Sequence, residues 1–310
     1  MTLHPTLQTM LAKAALLPPM ISLPIAQVRA TDASRYKIGQ PLDEVRNVED
    51  RFIPGPGGEM QIRIYQPPSR DDGAALPVTV FFHGGGFVVC SIESHDGICR
   101  QLCRRSGTIV VSVDYRLAPE AKFPAPVDDC LAATRWVAEH ASSFGADPAR
   151  LAVAGDSAGG NLAAVIALRA RDEGGPAISA QLLLYPVTDH YAVQRPSYSE
   201  RGSGYGLTRE AMVWFWDHYL PHEQDGAHMF ASPLRAASFA GLPSAYVMTA
   251  GFDPLRDEGV AYAERLGQAG VPVQFAQYED MNHGFLFWVG LIDTSTTAMD
   301  AACAWLKETL

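Results

Sequence analysis

Leu151-Ala152-Val153-Ala154-Gly155-Asp156-Ser157-Ala158-Gly159-Gly160-Asn161 is the stretch that decides the fold. The apolar run 151–154 reads as a buried strand and Asn161 to Ala170 as a helix, so the G-x-S-x-G pentapeptide between them must turn the chain from one into the other. At so sharp a turn the central serine is forced into a strained backbone conformation, and its hydroxyl stands clear above the sheet. Side chains at 155 and 159 would crowd the turn and the following helix, so both positions take glycine. The new helix also aims its N-terminus at the space beside Ser157, which favours developing negative charge there. Taken alone, the pentapeptide reads most simply as an ordinary glycine-rich turn. With a strand before it and a helix after it, an exposed nucleophile is the better reading.

Outward from this turn, five more apolar, β-rich segments recur with helical segments between them, at 78–82, 109–114, 181–185, 245–249 and 273–277. Most lack polar alternation, as expected of parallel strands covered on both faces. Two earlier segments, 48–53 and 60–65, flank Pro54-Gly55-Pro56-Gly57-Gly58 and read as an antiparallel hairpin. The expectation is an α/β fold with a roughly eight-stranded, mostly parallel sheet flanked by helices, its ligand site at the carboxyl ends of the strands. Pro126-Val127-Asp128-Asp129 opens one helix, which continues through Leu131, Trp136 and Val137. The last helix begins near Asp293 and presents Met299, Ala302, Leu306 and Leu310 as a packing stripe.

Bulk properties narrow the function. The 310 residues suffice for one large α/β domain, and 47% hydrophobic with 19% charged residues is a globular composition. A net charge of −10 argues against nucleic acid and anionic membrane surfaces as partners. The apolar stretch from Leu16 to Ile25 is broken by Pro18, Pro19 and Pro24 and is too short to span a bilayer. It also lacks the flanks of a signal peptide, so a cytoplasmic location is expected. Five cysteines, Cys90, Cys99, Cys103, Cys130 and Cys303, form no framework spacing and read as buried free thiols, even though Cys99 and Cys103 would share a helix face.

A serine hydroxyl attacks only if a base accepts its proton and a third group orients that base. Of nine histidines, His283 in Asp280-Met281-Asn282-His283-Gly284-Phe285 follows the last strand directly and lies on a loop at the same sheet edge as Ser157. His95, His140, His190, His218, His222 and His228 fall in helical or inserted segments and read as surface or satisfied residues, with His190 kept as a pocket candidate. For the orienting acid, Asp253 follows strand 245–249 directly, whereas Asp257 and Glu258 sit one helical turn later, where a helix start is the plainer role. The order Ser157, Asp253, His283 is the one expected of a triad on an α/β-hydrolase sheet. His83-Gly84-Gly85-Gly86-Phe87 follows strand 78–82, and consecutive glycines can turn backbone N–H groups toward one point to bind an oxyanion. The N–H of Ala158 would complete that hole. A flexible loop or a phosphate cradle is the alternative, but neither the Gly-Lys-Ser/Thr ending nor the G-x-G-x-x-G spacing is present. Asp156 would oppose the oxyanion if it faced the pocket, so it is expected to point away and pair elsewhere.

Together with Tyr115-Arg116-Leu117-Ala118-Pro119-Glu120 and Asp253-Pro254-Leu255-Arg256-Asp257-Glu258-Gly259, the glycine run and the serine turn resemble the hormone-sensitive-lipase-like esterases. These are the bacterial family IV carboxylesterases of the α/β-hydrolase superfamily, and the Gly-Asp-Ser-Ala-Gly form matches their aspartate-bearing branch. The resemblance runs from about residue 45 onward. It implies Ser157, Asp253 and His283 as the triad, Gly85, Gly86 and Ala158 as oxyanion donors, and His83 as a structural support for the loop that Gly84 begins. It further implies a helical cap built from residues 1–45 and an aromatic-rich insertion at 188–240, with the catalytic core divided into 46–187 and 241–310. Short to medium acyl chains, with aryl esters plausible, follow from such a cap, and no metal or organic cofactor is called for. Two copies pairing through the edge strand near 273–277 and the last helix would give a homodimer. Two other readings use the same chain: an amide or N-acyl hydrolase or deacetylase with the same triad, and a non-catalytic binding module. The plant gibberellin receptors resemble this family but lack the catalytic histidine, whereas His283 is present here.

Overall fold

The computed structural model describes residues 2–35, 43–68 and 73–310. Within the expected N-terminal cap segment, residues 1 and 36–42 lie outside the described residues. The strands are β1 (Asn47–Gly55), β2 (Gly58–Gln66), β3 (Leu76–Phe82), β4 (Ile109–Val113), β5 (Ala146–Asp156), β6 (Ala180–Leu184), β7 (Ser244–Phe252) and β8 (Val273–Asn282). They form one sheet in the order β1-β2-β4-β3-β5-β6-β7-β8. β1, β2 and β4 pair antiparallel, and every pair from β4 to β8 is parallel. The antiparallel edge and the parallel body are as the sequence led us to expect.

The helices are α1 (Pro5–Ala14), α2 (Ile25–Arg35), α3 (Ile92–Ser106), α4 (Ala125–His140), α5 (Ala158–Glu173), α6 (Pro196–Glu200), α7 (Arg209–Tyr219), α8 (Arg256–Gln268) and α9 (Asp293–Thr309). Both faces of the sheet are covered, which explains the continuous apolar strands. Val78, Val80 and Phe82 of β3 pack into one core with Val127 and Leu131 of α4 and Leu162 and Val165 of α5. Phe81 of the same strand points to the other core, with Leu102 of α3 and Met299, Ala302 and Leu306 of α9. Each such side chain taken from water contributes roughly 1.5–3 kcal/mol before the entropy of ordering it is counted. Local signals set the helix ends: Ser91 and Ser94 cap α3 reciprocally, and left-handed Gly107 (φ 73°) and Gly174 (φ 79°) stop α3 and α5. All five cysteines are buried, and none of them forms a disulfide.

The segment between β6 and β7 holds α6, α7 and short 3-10 turns. Among its aromatics, Tyr198, Trp216 and Tyr219 are buried in the same core as β3, and Tyr219 stacks on Phe87 at 3.8 Å between ring centroids. No helix among the described residues is long and apolar enough to cross a membrane.

Parallel pairing brings the strands' carboxyl ends to one edge. Phe82 pairs with Gly155, Asp156 with Leu184, and Phe252 with Asn282. The residues that follow these positions therefore share that edge: His83, Ser157, Asp253 and His283.

Candidate active site

Ser157 sits between β5 and α5 with φ 55° and ψ −118°, a left-handed conformation that a side chain rarely adopts. Its neighbours account for the strain. A Cβ on Gly155 would collide with the carbonyl of Gly159, and one on Gly159 would collide with the carbonyl of Phe82. Strand and helix are pressed so closely together that only a kinked serine connects them. The backbone N–H of Ser157 donates to Leu184 and its carbonyl accepts from Val187, so the kink is held on both sides.

His283 follows β8 and precedes left-handed Gly284 (φ 76°). Its Nε2 lies 2.8 Å from Ser157 Oγ, and its Nδ1 lies 2.7 Å from Asp253 Oδ2. Asp253 is fully buried, and its other oxygen accepts the N–H of Leu255 at 2.8 Å. An ionised carboxylate can only accept, so Nδ1 carries the proton and Nε2 is left as the acceptor facing the hydroxyl. Tyr185 packs edge-on against the His283 ring at 5.0 Å, which limits its swing. The two acids weighed against Asp253 are engaged elsewhere. Asp257 accepts the N–H of Ser197 and pairs with Arg256, while Glu258 accepts the N–H of Thr188 at 2.8 Å. Burial pushes the Glu258 carboxyl well above the usual range, against the backbone hydrogen bond from Thr188.

The glycine run after β3 turns sharply, with Gly85 at φ 109° and Gly86 at φ 59°. A side chain at 85 would strike the carbonyl of Val89, and one at 86 would strike the ring of Phe215 from the 188–240 insertion. Gly84 is different: its N–H donates to Asp156 Oδ1 at 2.8 Å, so it faces the back of the loop. His83 is fully buried, with Nδ1 2.7 Å from the Gly84 carbonyl and its ring stacked on Tyr115 at 4.3 Å. Tyr115 in turn donates its hydroxyl to the His83 carbonyl at 2.7 Å. Burial first, and the neighbouring His95 second, push His83 down to about 3, so its ring is neutral.

Asp156 is buried and finds partners. Besides Gly84, its Oδ1 lies 3.1 Å from Nε2 of His95, and both side chains are buried. Burial works to raise its carboxyl, but His95 and the Gly84 N–H outweigh this and hold it below the ordinary value. His95, which from the sequence was only one satisfied histidine among several, is the site residue that sequence reasoning missed. No local signal marks it, because its partner lies 61 positions away in the chain (156 − 95). His190 is buried against Trp216 at 4.9 Å and lines a cavity of about 440 Å³ with His222, Glu223 and Arg235. Ser157, Asp253 and His283 do not line that cavity.

A family model described as alpha/beta hydrolase fold matches residues 79–287, more than half of the chain. The chain belongs to the α/β-hydrolase family, in the hormone-sensitive-lipase-like branch that its motifs resemble. Esterase LipI of Mycobacterium tuberculosis is 46% identical over 87% of this chain and 85% of its own length. The ethyl acetate hydrolase of Pseudomonas putida is 37% identical over 87% of each chain. Among solved structures, an ester hydrolase from the metagenome of Lake Arreo, complexed with a derivative of bipyridine phosphonate, superposes with a TM-score of 0.93. That structure is 42% identical and is matched over 99% of each chain.

Proposed function

We propose that this protein is a carboxylic ester hydrolase that works through an acyl-enzyme on Ser157. The observation that carries the reading is the continuous hydrogen-bonded line from Ser157 Oγ through His283 to buried Asp253, at 2.8 and 2.7 Å. In this mechanism Ser157 attacks the ester carbonyl while Nε2 of His283 takes its proton, and Asp253 steadies the imidazolium that results. The carbonyl oxygen becomes an oxyanion, received by the N–H groups of Gly85, Gly86 and Ala158 in an environment of low dielectric. His283 then protonates the leaving alcohol, and water repeats the sequence to release the acid. His83, Gly84 and Asp156 act as supports for the glycine loop.

Residues 188–240 with the N-terminal helices serve as the cap, and Phe215 over Gly86 is its point of contact with the oxyanion loop. So close an aromatic wall suits short to medium acyl groups, and the resemblance to the ethyl acetate hydrolase of P. putida favours small esters over amides. A cytoplasmic location and pairing of two copies across the β8 edge, where Phe275 is exposed, belong to the same reading. The test is a panel of aryl and alkyl esters of graded acyl length beside matched amides. Turnover falling steeply beyond medium chains, with amides at least 100-fold slower, is the expected outcome; amides turned over as fast as esters would contradict it.

A further inference from the structure

We propose that His95 is a positioning residue for the reaction: through Asp156 it holds the first glycine of the oxyanion loop in place and cancels the charge of the carboxylate adjoining the nucleophile. The inference rests on the roles proposed above for Ser157 and the glycine loop.

The geometry is a tight triangle. The Gly84 N–H donates to Oδ1 of Asp156 at 2.8 Å and also points at Nε2 of His95 at 3.3 Å, while Oδ1 and Nε2 lie 3.1 Å apart. The Gly84 N–H lies nearer the carboxylate, and a proton on Nε2 gives that oxygen a second donor where two acceptors 3.1 Å apart would otherwise repel. On the far side of the ring, Nδ1 lies 2.9 Å from Ser94 Oγ. The Ser94 hydroxyl donates to the Ser91 carbonyl at 2.8 Å and accepts the Ser91 N–H at 2.9 Å. Its single hydrogen is thus committed, and Nδ1 must be the donor to Oγ. A ring that donates from both nitrogens is an imidazolium, here paired with a buried carboxylate.

The pair is well placed to act on the chemistry. Asp156 immediately precedes Ser157 in the chain, and Gly84 immediately precedes Gly85 and Gly86. One carboxylate therefore ties the nucleophile turn to the oxyanion loop, and a Cβ on Gly84 would come within 2.6 Å of its Oδ2. His95 is itself fixed, by the capping turn of α3 and by Phe287 edge-on at 5.1 Å. Phe287 belongs to the turn that follows His283. Without His95 a naked buried carboxylate would stand next to the serine on which negative charge develops. The titratable groups around the pair are His83 and Tyr115 behind the glycine loop, Cys99 further along α3, and His283 across the serine turn. Of these, His83, Tyr115 and Cys99 stay neutral, so the charge of Asp156 is answered by His95 and felt by His283.

Three variants test this: His95→Gln, Asp156→Asn, and the two combined. In His95→Gln, kcat falls by roughly 10- to 100-fold while KM stays within about threefold. The acid limb of kcat/KM moves up by about 0.5–1 unit, because the unanswered carboxylate holds the proton on His283. In Asp156→Asn the buried ring loses the charge that holds its second proton and goes neutral, so the limb stays within about 0.3 unit of the wild type. In the double variant the limb returns to the wild-type position and part of the lost turnover is regained. An upward shift in His95→Gln that the second substitution abolishes is a charge signature that loosened packing does not produce. Thermal unfolding accompanies each profile; should His95→Gln fail to fold, the same upward shift in His95→Asn and its loss when Asp156→Asn is added decide the matter. A wild-type profile in His95→Gln, or losses of turnover in all folded variants with no movement of the acid limb, overturns the proposal. Labelling of the wild-type enzyme with a reactive phosphonate separates the two levels. No adduct on Ser157 sinks the nucleophile assignment itself, whereas an adduct with unshifted profiles sinks only the role of His95.

Discussion

The sheet edge and the 188–240 insertion meet over the same few residues but are held by different means. At the edge the backbone does the holding. Ser157 is locked at φ 55° between Gly155 and Gly159, and its N–H and carbonyl are both committed to neighbouring segments. In the insertion side chains do the holding. Tyr219 stacks on Phe87, Arg195 and Arg235 converge on Asp189, and Lys122 Nζ reaches the carbonyls of Asp217 and Leu220. Backbone geometry tolerates almost no substitution, whereas aromatic and ionic contacts can be exchanged one at a time. On the function proposed above, the chemistry sits on the unyielding half and the choice of substrate on the adjustable half.

The largest effect that would break this contrast is on turnover. Replacing Ser157 with Ala lowers kcat by on the order of 10⁶ with the fold unchanged, read by active-site-normalised ester assay and by circular dichroism. Next comes stability. Gly159→Ala forces a Cβ onto the Phe82 carbonyl and costs about 3 kcal/mol or more in urea unfolding; a cost under 1 kcal/mol would mean that the edge yields after all. A smaller effect belongs to the insertion. Phe215→Ala changes the ratio of kcat/KM between short and medium acyl esters by about tenfold, while labelling of Ser157 persists. Equal loss for every chain length would place Phe215 on the chemical side of the division.

The last effect is a pH dependence, modest for each unit of pH. Unfolded His83 binds a proton below about 6.5, its ordinary value, while the buried ring stays neutral down to about 3. Stability from this group is therefore full above pH 6.5 and is lost as pH falls through that window, by at most about 1.4 kcal/mol per unit. Asp156 adds to the loss at still lower pH, because its depressed carboxyl contributes stability above the ordinary carboxylate range and loses it as pH falls through the folded-state value. His83→Asn should flatten urea-unfolding stability between pH 4 and 6.5. His190, pushed down by burial and by Arg235, is the comparable group in the insertion. A greater flattening in His190→Asn would shift the acid-sensitive region to that side.

The same contrast explains what the sequence disclosed. Each expected triad residue lies within six positions of the end of an apolar run, and parallel strands bring those ends to one edge, so the positions of Ser157, Asp253 and His283 were legible from local pattern. The start of β5 was not. It begins at Ala146, where Asp147, Pro148 and Arg150 give no apolar run, and its pairing with β3 is irregular between Leu76 and Val78. His95 was hidden for a different reason. The need of Asp156 for a partner could be argued from charge, but which of nine histidines met it depends on how α3 packs behind the glycine loop. Contacts of Phe215 and Tyr219 were equally invisible, since an aromatic cluster in an insertion reads the same whether it packs inward or lines a pocket.

The central claim is that Ser157 is the nucleophile, and mass spectrometry after treatment with an aryl phosphonate tests it most directly. The account predicts one adduct per chain, located on the peptide that carries Ser157, with ester turnover lost in proportion and no adduct in Ser157→Ala. Ester hydrolysis that survives in Ser157→Ala, or an adduct on another residue that tracks the loss of activity, would contradict it.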